Sequence, residues 1–169
     1  MADFRTAVLI TIDDDHEGGF QKNPNDRANW SSGKIGEGEL IGTKYGITAL
    51  DMPGVDIENL TVDQAVEFYA ERYWKTLYSQ INSQNMANKL FDLGVLFGVG
   101  TAVGILQLTL GITVDHAFGP NTLQAINDAD ETSLLASYKA NLMTHVFNIA
   151  TANPAERQFL TGWSRRINS

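Results

Sequence analysis

Apolar residues recur at helical spacing at Phe4, Val8, Leu9 and Ile12, which predicts an amphipathic helix over about residues 4–17 with Gly18-Gly19 as its stop. From 20 to 42 the pattern breaks into turn formers: Asn23-Pro24-Asn25-Asp26, Ser31-Ser32-Gly33 and glycines at 36, 38 and 42. Residues 43–49 suit a short strand or hairpin arm, and 51–59 read as loop. Thr61-Val62-Asp63-Gln64 is a capping box, with Thr61 as N-cap and Gln64 three residues inside. It opens a helix to about Tyr78 with Val62, Ala65, Val66, Tyr69, Tyr73 and Leu77 inward. Further helices are predicted over 83–96, over 100–110 with Gly111 as the stop, from Pro120 to 127, over 131–150 and over 154–167. The fold class is mostly α (α+β), helical with a small N-terminal β element.

One stretch changes the picture. Residues 93–114 carry no charge, and Gly94/Gly98 and Gly100/Gly104 match a G-x-x-x-G spacing. Five glycines, Gln107 and three threonines dilute its hydropathy, so it reads as a buried helix whose glycines let neighbouring helices approach, with no stable membrane insertion. No repeat is visible, and no polar Pro/Gly/Ser-rich linker lies near residue 95. The expectation is therefore one structural unit over 1–169, with its C-terminal helices in a shared core.

Composition narrows the function classes. The chain has 169 residues, 43% hydrophobic and 19% charged, enough for one ordinary domain. With no cysteine there is no disulfide framework, zinc–thiolate site or thiol nucleophile. A net charge of −8, with Arg165-Arg166 as the one basic cluster, disfavours nucleic acid and simple electrostatic adhesion to anionic surfaces. A polymer substrate must then be held by a cleft. Met1-Ala2-Asp3-Phe4-Arg5-Thr6 does not read as a signal peptide, because the apolar stretch 7–12 is too short and runs into Asp13-Asp14-Asp15.

Hydrolysis of a glycosidic bond needs a protonated carboxyl beside the leaving oxygen and a second carboxylate for water or the oxocarbenium-like charge. Glu17, at a predicted helix C-terminus where negative charge is disfavoured, suits the acid. Asp26 follows nine residues later in a turn. Spacing alone leaves open a solvated helix end and a turn former. Asp13-Asp14-Asp15-His16 could attract a metal, but without a further ligand motif it reads as a solvated acidic face, and no metal or cofactor is expected. His116 and His145 are isolated, and Ser31-Ser32 lacks a nucleophile setting. Trp30, Tyr45, Tyr69 and Trp74 are candidates for stacking on sugars. Tyr69 and Tyr73 sit at core spacing, whereas Trp30 lies in a polar loop. Trp163, beside Gly162, reads as packing for the last helix.

The order of the motifs is more specific. Glu17-Gly18-Gly19-Phe20, Asn23-Pro24-Asn25-Asp26 and Gly42-Thr43-Lys44-Tyr45-Gly46-Ile47-Thr48 resemble glycoside hydrolase family 108, with Asp26 to Lys34 similar to its longer-loop branch. Tyr69-Ala70-Glu71-Arg72-Tyr73-Trp74 and Phe91-Asp92 fit the same pattern. Ala102 to Gln107, Asp115-His116-Ala117-Phe118-Gly119-Pro120-Asn121-Thr122-Leu123 and Phe159 to Arg166 resemble the segment described in that family as a predicted peptidoglycan-binding region. Two sequence segments follow, 1–95 and 96–169. The loop from Asp26 to Thr43 exceeds the family's short form and carries Glu37 and Glu39 as rival second carboxylates. The family's V-N-x-G run is Val95-Leu96-Phe97-Gly98 here.

The resemblance implies a lysozyme-like fold whose β element floors a cleft. It implies an N-acetylmuramidase cutting the β-1,4 bond after N-acetylmuramic acid in peptidoglycan glycan strands. Glu17 matches the catalytic glutamate, Asp26 is the candidate second carboxylate and Thr43 the candidate for holding water. Trp30, Lys44, Tyr45 and Tyr69 are candidate substrate contacts. A phage endolysin is the role implied: a monomer held in the host cytoplasm until a separate holin-type pore releases it to the wall. The rival class is a non-catalytic wall-binding or secretion-accessory protein.

Overall fold

The computed structural model describes residues 1–13 and 18–169. They form two compact units, one of residues 8–72 and one of residues 1–7 with 73–169. The divisions fall inside the first helix, α1 (Phe4–Thr11), and between Arg72 and Tyr73. The described part of α1 ends at Thr11, short of the predicted residue 17; residues 14–17 lie outside the described residues.

The unit of residues 8–72 is mostly loop around a three-stranded antiparallel sheet, β1 (Phe20–Gln21), β2 (Thr43–Lys44) and β3 (Ile47–Thr48), in that spatial order. A 3-10 turn, Arg27–Asn29, interrupts the loop between β1 and β2. Helix α2 (Val62–Arg72) follows. The capping box forms as the sequence predicts: the Gln64 N–H donates to Thr61 Oγ1 (3.2 Å) and the Thr61 N–H to Gln64 Oε1 (2.9 Å). Ala65, Phe68 and Tyr69 are buried. The helix ends at Arg72 rather than near Tyr78. Arg72 donates from Nη2 to Asp51 O (2.8 Å) and its guanidinium lies 4.5 Å from the centre of the Phe68 ring, while residues 76–80 form a separate 3-10 turn.

The other unit is helical: α3 (Gln84–Phe97), α4 (Val99–Leu110), α5 (Pro120–Asp128), α6 (Glu131–Ala152) and α7 (Leu160–Asn168), with a 3-10 segment Pro154–Phe159 before α7. Its core joins Leu90 and Leu93 of α3, Val103 and Leu106 of α4, and Leu142 and Val146 of α6, all fully buried. Each such side chain contributes about 1.5–3 kcal/mol. Beside this core, Trp74 packs edge-on to Phe4 (5.1 Å) and Tyr78 (5.5 Å) and tilts against Phe91 (5.8 Å), and its indole N–H donates to Ser79. Trp74 therefore packs the core, which corrects its sugar-stacking candidacy.

The uncharged stretch 93–114 is not one helix. Gly98, at φ +88°, ends α3 and begins α4, and Gly111 in the left-handed region ends α4 after 12 residues. That is roughly 18 Å of helix, and among the described residues no helix is long and apolar enough to cross a membrane. Gly94 of α3 is approached by Val99 of α4, whereas Gly100 and Gly104 are approached by a loop rather than by another helix. The His116 ring lies over Gly104, whose added Cβ would meet His116 Cε1 at 2.6 Å, and His116 Nδ1 is 3.1 Å from Gly100 O.

Candidate active site

Glu17 lies outside the described residues, three positions before the start of β1. The site is built from that strand onward. β1 pairs with β2 so that Gln21 faces Thr43 and Phe20 faces Lys44. The approach is close: a Cβ on Gly42 (φ +105°) would meet Phe20 Cε2 at 2.6 Å and Gln21 O at 2.8 Å, so only glycine fits.

Gln21 organises the polar side of this sheet. Its Nε2 donates to Asp26 Oδ2 (3.2 Å), and its Oε1 accepts from Asn29 Nδ2 (2.7 Å) and the Asn23 N–H (3.2 Å). Asp26 caps the 3-10 turn by accepting from the Ala28 N–H at Oδ1 (2.9 Å). Both oxygens of Asp26 are thus fixed, and its carboxylate hangs on the residue that pairs with Thr43. Asn29 is buried and accepts the Ile41 and Gly42 N–H groups on its carbonyl, which seats the start of β2. Thr43 Oγ1 is buried and has no hydrogen-bond partner among the described residues. A buried hydroxyl in that state is costly in a purely structural role.

The turn between β2 and β3 is Tyr45-Gly46, both at positive φ (54° and 73°), as a two-residue hairpin demands. Tyr45 is not a glycine, and its carbonyl accepts the Tyr69 hydroxyl at 2.7 Å. Tyr69 is 2% exposed, so it offers no open face to a sugar; it latches the turn instead. Lys44 donates to Glu58 O (2.9 Å) and lies 5.4 Å from the centre of the Tyr45 ring. Trp30 donates its indole N–H to Pro24 O (2.9 Å), and its backbone bridges to Leu40. Both retain half-buried side chains. Of the rival carboxylates, Glu37 is exposed and paired with Lys34 at 3.4 Å, and Glu39 is exposed.

The structure therefore brings Asp26 and Thr43 together through Gln21, and Tyr45 and Tyr69 through one hydrogen bond. Gln21 and Asn29 are contributors that the sequence pattern missed. Among the described residues, no group of three or more His, Asp or Glu is placed to hold a metal.

Comparison with known proteins places this arrangement. Residues 12–98, which contain the whole sheet and the loop that carries Asp26, match the family model described as glycosyl hydrolase 108. The chain belongs to that family. Residues 101–168 match a second model, described as a predicted peptidoglycan domain. Together the two matches make this family 108 member a glycoside hydrolase that acts on peptidoglycan. No curated protein matches the chain. Among solved structures, SagA from Brucella abortus is similar, with 21% identity over 98% of this chain and 89% of that one and a TM-score of 0.71. That likeness shows the fold: mostly α, lysozyme-like, with a small sheet.

Proposed function

We propose that this family 108 hydrolase is an N-acetylmuramidase, cleaving the β-1,4 bond between N-acetylmuramic acid and N-acetylglucosamine. The observation that carries the reading is the Gln21 link, which holds Asp26 on the strand that faces Thr43. In this reading Glu17 gives its proton to the leaving glycosidic oxygen. Asp26 is the second carboxylate, held in place by its hydrogen bonds from Gln21 Nε2 and the Ala28 N–H. The Thr43 hydroxyl steadies the attacking water. Tyr45, beside Lys44 on the hairpin, and Trp30 supply ring faces for sugars, and Gln21 and Asn29 position the carboxylate.

The biological role we propose is that of a phage-type endolysin. It acts as a monomer, waits in the host cytoplasm and reaches the wall through a separate pore protein. The motif order shared with the family supports this role.

Two measurements test the chemistry. Mass spectrometry of digested peptidoglycan should find N-acetylmuramic acid at the new reducing ends; N-acetylglucosamine there would reject the bond assignment. Glu17→Gln should keep its fold and lose at least ~100-fold in lytic rate on permeabilised cells, the scale of a general acid. Near wild-type lysis would remove Glu17 from that role.

A further inference from the structure

The loop between β3 and α2 separates two cavities, both inside the unit of residues 8–72. The first, of about 540 Å³, has aliphatic walls from Ile41, Ala49, Leu50 and Val55 and polar contributions from Ser31 and Asp56. It adjoins the candidate active site. Ser31 follows Trp30, Ile41 stands two residues before Thr43, and Ala49 follows Thr48, the strand partner of Thr43. Leu50 is 54% exposed. Pro53 and Val55 also wall the second cavity, of about 380 Å³, so the two meet across this loop.

The second cavity has a different lining. Met52, Val55 and Phe68 make part of it apolar, and Asp51, Glu67, Glu71 and Arg72 give it charge. Arg72 is already committed, with Nη1 3.4 Å from Asp51 Oδ1 and its guanidinium 4.5 Å from the centre of the Phe68 ring. Glu67 and Glu71, one turn apart on α2, are exposed, and among the described residues no cation pairs with either. The cavity therefore carries two uncompensated carboxylates beside apolar side chains.

We propose that these two cavities hold the peptide branch of the substrate, with its diamino residue in the acidic one. This rests on the muramidase reading, in which the sugar at the cleaved bond is the one that carries the branch. The branch opens on a lactyl–alanine unit, whose two methyl groups suit aliphatic walls; a sugar ring would find no aromatic face there. Its third residue has a methylene side chain ending in an ammonium, the combination that an apolar cavity edged by Glu67 and Glu71 selects. The distances suit the branch. Thr48 pairs with Thr43 on the neighbouring strand and donates from its hydroxyl to Asp51 Oδ2 (2.8 Å), at the wall of the acidic cavity. Three extended residues reach about 10–11 Å, enough to cover that interval. A cross-link acylates the ammonium and removes its charge, so uncross-linked strands are the preferred substrate.

Two measurements on the full chain test this. The first is titration calorimetry with N-acetylmuramoyl-tripeptide, which has no glycosidic bond to cut, and with the same compound acetylated on its side-chain amine. Acetylation should weaken binding roughly two- to tenfold, the scale of one or two exposed ion pairs. Glu67→Gln combined with Glu71→Gln should weaken binding of the free amine by the same factor and leave that of the acetylated compound as it was. Both carboxylates are exposed, so the melting temperature should hold. Leu50→Asp should weaken binding of both compounds. The second measurement is kcat/KM on soluble uncross-linked strands before and after an amidase strips their peptides. Intact strands should be favoured, and by a smaller ratio in the double variant. Equal binding of the two compounds by the wild-type chain, or binding of neither, overturns the proposal. So does a preference for the free amine that survives in the double variant, or equal kcat/KM on intact and stripped strands. If the wild-type chain cuts neither strand, or leaves N-acetylglucosamine at the new reducing ends, while the calorimetry still depends on Glu67 and Glu71, the muramidase reading fails and the cavities keep their ligand.

Discussion

The guanidinium of Arg166 closes on the carboxylate of Asp92, with Nη2 2.9 Å from Oδ1 and Nε 3.0 Å from the same oxygen. The two side chains are 9% and 4% exposed. Asp92 belongs to the segment matching glycosyl hydrolase 108 and Arg166 to the one matching the peptidoglycan domain, so a buried ion pair crosses between the two matched regions. Breaking either side leaves a buried charge uncompensated. Arg166→Met or Asp92→Asn should each cost about 3–5 kcal/mol. The double variant should cost less than the sum of the single changes, and urea unfolding of all four proteins measures the coupling.

Helix α3 leads to a second expectation. It ends the segment that matches glycosyl hydrolase 108, yet its buried face packs with α4 and α6. A fragment of residues 1–95 would expose that face and should be insoluble or unfolded. A soluble fragment with a cooperative melt and muramidase activity would show instead that the C-terminal half is dispensable.

Lys89, beside this ion pair, donates to Arg166 O (2.9 Å). Burial pushes its pKa from 10.5 down to about 8, although Asp92 pulls upward. Between about pH 8 and 10.5 the unfolded chain therefore binds more protons than the folded one, and this group's contribution to stability rises with pH. Lys89→Met should gain most, relative to wild type, at pH 7 and lose that advantage by pH 10. Denaturant midpoints at the two pH values give the comparison; a constant difference would contradict the assigned shift.

At Gly104 a methyl group has no room, because His116 Cε1 would lie 2.6 Å away. Gly104→Ala should cost roughly 1–3 kcal/mol. Adding His116→Gly removes the obstructing ring and places glycine at φ +61°, where it is at ease. The double variant should recover part of the loss in a thermal melt, and simple additivity would mean that the ring is not the obstacle.

For the second carboxylate, Asp26→Asn should impair lysis far more than Glu37→Gln or Glu39→Gln. Asp26 alone of the three is tied to Gln21, whereas Glu37 pairs with Lys34 at the surface. Turbidity loss of permeabilised cells ranks them, and the reverse order would move the role into the long loop.

Local signals were the legible ones. The Thr61 box, Pro120 at the head of α5 and Gly111 at the end of α4 act within one turn of chain, and each marks its element. The motif order exposed the family and Asp26 and Thr43 as candidates. Gln21, Asn29 and Gln107 stayed hidden because their worth lies in hydrogen bonds to residues up to 15 positions away, and a lone amide carries no periodicity. The end of α2 at Arg72 was hidden for a similar reason. Tyr73 and Leu77 continue the helical spacing, but Arg72 is held back toward Asp51 and Trp74 joins Phe4 and Phe91.

The contact between the Tyr69 hydroxyl and the Tyr45 carbonyl bears on how this gene tolerates change. A tyrosine at positive φ is held by one oxygen atom on a distant helix, so position 69 discriminates between two rings of nearly equal shape. In a randomised library screened for folded, protease-resistant protein, phenylalanine at 69 should be depleted although it fills the same space. A compensating glycine or asparagine at 45 should bring it back, because either relaxes the turn. Two codons far apart in the gene would then drift together, a signature that sequenced survivors would reveal without any purified protein.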